Sequence, residues 1–509
     1  MIAKWSDRIF HILFFTAFSI ITVGVIASIC RVNLWGIVTA VGMLGLGIVV
    51  IYLLYRRFGD IGSRKANIVF AVMAAVMLVI QLAAANLLLA NPVTDWNVIH
   101  QVALSFAKNG SMDNMYENLP NNHHYLAKYT NNGGITVLLS FFYRAIYLIF
   151  GDVPLIAPVM LNTVFIFVSV IFCYLIAKRI LGNFGGLVAG GLCFLFVPYY
   201  TYTPYFYTDS ISMPFTVISI YLFIRAYESD NTAVEITLYC LCAFSVAVGY
   251  LLKGNVIVVL AGIIVYSLIK GGVKKVTIAV GLTLSMFVIF LAALNLLISS
   301  MHMTTEDERY EYQYPLTHWV MMGLKGNGSF DQADSTFTNS AGNYDRKQAA
   351  NLNEIEQRLS AYGVGGLSRH LFDKAVFTWN DGSYWISHHI YKNVGERNFL
   401  HELVLKDGQC YGLFYCISAG IQLIILLMLC VTSVYSVIKP KCDRMMFIRI
   451  LIFGIMLFLL MWETRSRYLF NFTPLFIIVT AQGMLISIKA FAKLFEKRRQ
   501  AKNKISAAG

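Results

Sequence analysis

The feature that most limits this chain is the repeated return of apolar runs about twenty residues long. A hydrocarbon core of ~30 Å takes ~20 apolar residues to cross as a helix. Runs of that kind lie near 9–30, 33–54, 67–89, 155–177, 185–205, 210–227, 234–251, 254–270, 276–298, 411–437, 445–462 and 469–488. They predict an all-α polytopic membrane protein of about twelve spans. Two long polar interruptions, 90–154 and 299–409, divide it. The start, Met1 to Arg8 before an apolar run, imitates a signal peptide. The run is too long for that and lacks a small-residue cleavage site, so it is expected to be the first helix. The cysteines fall mostly inside apolar runs and show no disulfide or metal-ligand spacing.

Charge fixes the expected sidedness. The net charge of +13 would suggest nucleic acid in a soluble protein. In a membrane chain it fits basic loops on one face, and no nucleic-acid partner is expected. One further apolar segment, 134–150, is short and carries Arg144. If it does not cross, both termini share a face with Arg56/Arg57/Arg64/Lys65, Lys178/Arg179, Lys270/Lys274/Lys275, Lys439/Lys441/Arg444 and the Lys493–Lys504 tail. The positive-inside rule puts that face in the cytoplasm. Segment 134–150 is then expected as an amphipathic helix at the outer interface. Both long interruptions, with Asp95, Asp209, Lys253 and Glu463–Tyr468, come to the outer face. The expected division is a transmembrane module 1–298 with its outer loop 90–154, a small mixed outer insertion 299–409, C-terminal helices 410–490 and a basic tail 491–509. Gly323–Gly328 and Gly363–Gly366 are expected loops in the insertion.

Several residues at these outer helix ends suit chemistry. Asp95 follows the third span beside Trp96, where partial desolvation favours a general base; as an alternative it is a helix cap. Asp209 closes the aromatic stretch Pro198–Tyr207, whose Tyr205 and Tyr207 offer faces for a sugar ring; it too fits a helix cap. Lys253, between two apolar segments, suits a phosphate at membrane depth or a snorkelling anchor. Trp462–Asn471 places Glu463, Arg465, Arg467 and Tyr468 together, and guanidinium forks bind phosphate oxygens. Lys128, Asn131 and Asn132 could line the mouth of the same cavity, although Asn131–Gly134 reads equally as a turn. His123/His124 and His388/His389 lack the i,i+4 spacing of helical metal ligands and are expected as surface polar residues. No GxxxxGK[ST], GxGxxG after a strand or HExxH occurs.

The order of these signals resembles the GT-C fold glycosyltransferases that use polyprenyl-phosphate sugars, a group that includes protein O-mannosyltransferases and lipid A aminoarabinose transferases. The wording of Tyr207-Thr-Asp-Ser-Ile-Ser-Met-Pro-Phe215 and Tyr129-Thr-Asn-Asn-Gly-Gly134 is similar to bacterial family 39-like members. Thr130 stands where members often have Pro. The resemblance covers about the first 300 residues and the last 60, leaving the insertion unmatched.

It implies a GT-C-like bundle in a bacterial plasma membrane, with the active site outside. Asp95 would be the catalytic carboxylate. Asp209 would be a second acid, binding acceptor or, in some relatives, a divalent metal. Lys253, Arg465 and Arg467 would meet the donor phosphate, and the acceptor would be an envelope glycan, lipid or protein. Two other classes stay open on the sequence. An envelope polysaccharide polymerase or ligase shares the lipid-linked substrate and outer arginines. A transporter or flippase would place its ionisable groups nearer mid-membrane.

Overall fold

In the computed structural model the described residues are 2–390, 394–440 and 444–506. Lys441 lies outside them, and side chains are described only from residue 6 to residue 493. Among the described residues every regular element is helical. Eleven helices among the described residues are long and apolar enough to cross a membrane.

The N-terminal helices are α1 (Ile2–Val32), α2 (Trp35–Phe58) and α3 (Ser63–Leu87). Two helices of the first long loop follow, α4 (Thr94–Asn109) and α5 (Gly133–Phe150). After them come α6 (Ile156–Leu195), α7 (Met213–Tyr227), α8 (Thr232–Leu252), α9 (Ile257–Lys270) and α10 (Val273–Ser300), the last containing a π-helical turn at Thr277–Leu282. The insertion contributes the long helix α11 (Tyr344–Trp379). The chain closes with α12 (Tyr411–Ile438), α13 (Arg444–Met461) and α14 (Thr473–Ser506).

The runs 155–177 and 185–205 are two helical limbs, as expected: Ile156–Leu195 breaks at Gly182 (φ 82°, ψ 177°), a conformation open to glycine, and the second limb returns along the first. The second limb ends at Leu195, and residues 196–207 form an aromatic strip that is irregular apart from one helical turn, Pro198–Thr201. Its freed carbonyls need donors in a dry setting. Asn162 Nδ2 supplies them to Tyr202 and Thr203 at 2.9 Å each, and Gln81 Nε2 to Tyr199 at 3.0 Å. At Gly363–Gly366 the expected loop is reduced to a single break: Gly363 (φ 57°) separates two helical limbs of α11, and Tyr362 on one limb stacks on His370 of the other. The insertion, expected to be mixed, is helical in all its regular elements among the described residues.

Segment 134–150 is helical and apolar enough to cross. It packs one face, with Ile135, Leu139 and Tyr143 buried, on α4, where Tyr143 Oη meets His100 Nδ1 at 2.7 Å. The opposite face exposes Phe141 and Leu148, and the last residues, Ile149 and Phe150, are exposed as well. Arg144, the charge in its middle, donates to the carbonyls of Ala107 (2.7 Å) and Lys108 (3.3 Å), the free acceptors at the end of α4.

The insertion folds back onto the bundle. Trp379, at the end of α11, is fully buried between Phe18 of α1 and Phe476 of α14, with ring centroids 5.2 Å away in each case. Lys374 donates to Gly323 (2.7 Å) and to Leu460 (3.0 Å), pinning the insertion to the end of α13. Gly328 must be glycine for this clasp: its φ is 79°, and an added Cβ would sit 2.6 Å from Lys374 Cε. Main-chain bonds from Glu463 N to Trp319 O (3.0 Å) and Thr464 N to Gly328 O (2.7 Å) extend the same join. Burial of Lys374 lowers its pKa to about 7, with Glu463 opposing the shift.

Candidate functional site

The site is built where two pairs of helices break. Between α8 and α9 the chain leaves the helix at Lys253 and makes a 3-10 turn, Gly254–Val256. Between α13 and α14 it is extended at Arg465 and then 3-10 over Ser466–Phe472. The breaks are tied by two side-chain amides: Asn471 Nδ2 donates to Asn255 Oδ1 at 2.9 Å, and Asn255 Nδ2 donates to Tyr468 O at 2.9 Å and Asn471 Oδ1 at 3.2 Å. That join aims Lys253 and Arg467 at the same point.

The point is Asp209, in the short helix Thr208–Ile211 that precedes α7. Lys253 Nζ lies 2.5 Å from Asp209 Oδ1, and Arg467 Nη1 lies 3.6 Å from Oδ2. The Asp209 side chain has no exposure to solvent, so the pair is desolvated on the acid's side. Arg467 also donates to Tyr205 Oη at 2.9 Å, and its guanidinium lies 5.5 Å from the Tyr207 ring and 5.0 Å from the Tyr468 ring. Tyr468 Oη donates to Glu463 Oε1 at 3.1 Å, and Lys253 Nζ sits 4.7 Å from the Tyr468 ring. Burial raises the Glu463 pKa, only partly countered by Arg467 and Arg465.

Asp95 approaches from another element. It sits in the first turn of α4, after Thr94 in the left-handed region (φ 51°), a conformation that costs a β-branched residue energy. Trp96 beside it is buried edge-on against Tyr205 and Phe206, with ring centroids 5.1 Å from each. No ion pair engages Asp95 among the described residues. Burial, then the Asp95 charge, pushes the Tyr125 hydroxyl well above its ordinary pKa, which places the carboxylate on the tyrosine wall. Asn132 belongs to that wall: its Nδ2 donates to Tyr125 Oη at 2.7 Å, and Tyr207 Oη donates to its Oδ1 at 3.4 Å.

The structure thus brings together Asp95, Trp96, Asn132, Tyr205, Tyr207, Asp209, Lys253, Glu463, Arg467 and Tyr468. Three expected residues stand apart. Lys128 faces the insertion, its Nζ 4.7 Å from the Tyr314 ring. Asn131 is exposed and reaches only Asn132, at 3.5 Å. Arg465 lies over Trp385, 5.3 Å from the ring, with its Nε buried and without a hydrogen-bond partner.

A divalent ion does not fit at Asp209. Both carboxylate oxygens face cations, and among the described residues no three His, Cys, Asp or Glu side chains gather as metal ligands do.

The insertion supplies site residues that no sequence signal marked. His389, expected at the surface, stacks on Tyr205 at 4.1 Å and 12°. Burial and the two arginine charges hold it neutral. Asp381 accepts from Ser466 Oγ (2.9 Å) and from the main chain of Ser383 (2.9 Å) and Trp385 (2.8 Å). It braces the turn in which Tyr384 and Trp385 both take left-handed φ, 54° and 67°. These residues lie about eighty positions from the arginines, so only folding relates them.

Fold and site together define a polytopic helical membrane protein with a charged, tyrosine-walled site at its helix breaks. The chain belongs to the family described as conserved hypothetical integral membrane protein, which it matches over residues 2–487. No curated protein matches the sequence. Two solved structures are similar in course. One is the archaeal oligosaccharyltransferase AglB from Archaeoglobus fulgidus, solved with an inhibitory peptide and a dolichol-phosphate (11% identity, TM-score 0.43, 84% of this chain and 52% of that one). This chain therefore spans about half its length. The other is ArnT from Cupriavidus metallidurans bound to undecaprenyl phosphate (10% identity, TM-score 0.35, 82% of this chain and 77% of that one).

Proposed function

We propose that this protein is a GT-C type glycosyltransferase that moves a sugar from a polyprenyl-phosphate donor to an envelope acceptor at the outer face of a bacterial plasma membrane. The observation that carries the reading is the convergence of Lys253 and Arg467 on Asp209, beside an Asp95 that no cation engages. Cations buried at a membrane helix break are costly to hold unless an anion is their purpose.

In this reading Asp95 takes the proton of an acceptor hydroxyl as its oxygen attacks the anomeric carbon. The bond from that carbon to the phosphate oxygen breaks, its electron pair leaves with the phosphate, and the sugar inverts. Lys253 and Arg467 meet the developing charge from fixed positions, so no reorganisation is needed at the moment of transfer. Asp209 aligns the two cations. Tyr205 and Tyr207 give the sugar a stacking wall. Because the sugar comes activated on lipid, no nucleotide motif is required.

The test is transfer from a synthetic polyprenyl-phosphate sugar by membranes carrying the protein, with Asp95→Asn beside the parent. Loss of transfer in the variant supports the reading. Full transfer by Asp95→Asn and Asp209→Asn, with loss on changing Arg465 or Arg467, would instead favour an envelope polymerase or ligase.

A further inference from the structure

A second cavity, of about 170 Å³, lies on the other side of the insertion's turn, between the end of α1 and the start of α12. Its wall includes Ser28, Trp385, His388, Lys406, Tyr411 and Ser418. It shares Trp385 with Arg465, whose guanidinium lies over that ring. We propose that this cavity binds an anionic polyhydroxylated ligand: a sugar or polyol bearing a carboxylate or phosphate.

Three observations point to that chemistry. First, the wall holds a free cation and an unpartnered hydroxyl, while its carboxylate is occupied. Lys406 is exposed toward the cavity with no carboxylate partner among the described residues; its ammonium lies 5.9 Å from the Trp385 ring. Ser418 Oγ is buried with no hydrogen-bond partner, an arrangement that costs energy unless a ligand or water answers it. Asp381, the one carboxylate in the wall, is already occupied: Oδ1 accepts from Ser383 N and Oγ, and Oδ2 from Trp385 N and Ser466 Oγ. Four bonds fill its lone pairs.

Second, the local charge favours an anion. His388 feels two cations, Lys406 and Arg465, against one carboxylate, Asp381. Burial keeps the imidazole neutral, with its pKa lowered to about 4, so it adds a hydrogen-bonding edge without charge. Third, Tyr411 and Tyr415 give the wall aromatic surface, on which the C–H face of a sugar ring packs well. Trp385 is itself held by His388, stacked at 3.7 Å and 11°.

Such a ligand has two sources, an acidic glycan or polyol and the headgroup of an anionic lipid. Its role as the acceptor's seat rests on the glycosyltransferase reading; the binding claim does not.

The experiment uses the full chain in phosphatidylcholine nanodiscs, with D-glucuronate as probe and D-glucose as the neutral control, titrated by saturation-transfer NMR. Glucuronate is expected to saturate and glucose to bind at least about tenfold more weakly. Lys406→Gln is expected to raise the glucuronate Kd about tenfold, the loss of one charge-assisted hydrogen bond. Equal binding of the two sugars, or a Lys406→Gln variant of unchanged thermal midpoint and unchanged Kd, overturns the proposal. A Ser418→Ala variant, expected to weaken glucuronate severalfold, keeps the test alive if Lys406→Gln misfolds. Nanodiscs of phosphatidylglycerol separate the sources. Loss of glucuronate binding there supports an anion site filled by a headgroup and overturns the acceptor role. Retained glucuronate binding by a protein that transfers no sugar leaves the cavity standing and sinks the transferase reading. Transfer whose acceptor KM ignores Lys406→Gln sinks only the acceptor role.

Discussion

Lys253 reaches Asp209 across 44 residues of chain and two helices, and their side chains meet at 2.5 Å in a pocket where the acid has no solvent exposure. Arg467 completes the arrangement from the opposite helix break. The geometry makes Asp209 the holder of two cations and leaves Asp95 as the acid that no cation engages.

Breaking that ion pair from one side is expected to cost about 3 kcal/mol or more, because the partner is left charged and dry. Asp209→Asn and Lys253→Met should each lower thermal stability in detergent, while the double variant loses much less than their sum. Additive losses would mean the two groups are not coupled.

Asp95→Asn should behave in the opposite way. With no ion pair to lose, and an amide oxygen that still accepts from Tyr125, its stability should stay within about 1 kcal/mol of the parent, below the cost of breaking the Asp209 pair. Sugar transfer should fall by roughly 10²–10⁴, the usual contribution of a general base. A large unfolding effect would make Asp95 a structural cap.

Arg467→Lys keeps the charge and loses the planar guanidinium, whose Nη1 reaches both Tyr205 and Asp209. Binding of a polyprenyl phosphate to the purified protein should weaken about tenfold. Unchanged binding would remove Arg467 from the phosphate site.

Lys374 gives the clasp between insertion and bundle a pH dependence. Its folded pKa, lowered to about 7, lies below its ordinary value of 10.5. Between those values the unfolded chain binds the extra proton, so stability rises with pH across that window. The cost of burying the ammonium is fully present below about pH 7 and is relieved as pH climbs to about 10.5. Thermal midpoints of the parent should therefore carry an upward component from pH 7 to 10 that Lys374→Met lacks. Parallel profiles would refute a buried, titrating Lys374.

Asp381→Asn tests whether the insertion steadies the arginines. Loss of the charged acceptor should free the Ser383–Trp385 turn, whose two left-handed residues need it, at about 1–3 kcal/mol. Protease sensitivity within 379–390 should rise; an unchanged cleavage pattern would show that the turn holds without the carboxylate.

The sequence by itself determined that the chain crosses a membrane many times, because an apolar run of span length has no stable place in water. It also marked Asp95, Asp209, Lys253 and Arg467, because ionisable groups at helix ends in lipid stand out against an apolar background. It separated the two limbs of α6 as the runs 155–177 and 185–205, but could not show that the chain reverses at the single residue Gly182, since apolar periodicity does not register one φ. Nor could it show that Lys128 and Arg465 turn away from Asp209, or that His389 and Asp381 turn toward the site. Those outcomes depend on contacts between residues far apart in sequence, such as Asn255 with Asn471 and Asp381 with Ser466. The charges were legible one by one. Which of them pair, and which stay free to act, was decided only by the packing that brings two helix breaks and a returning insertion to one place.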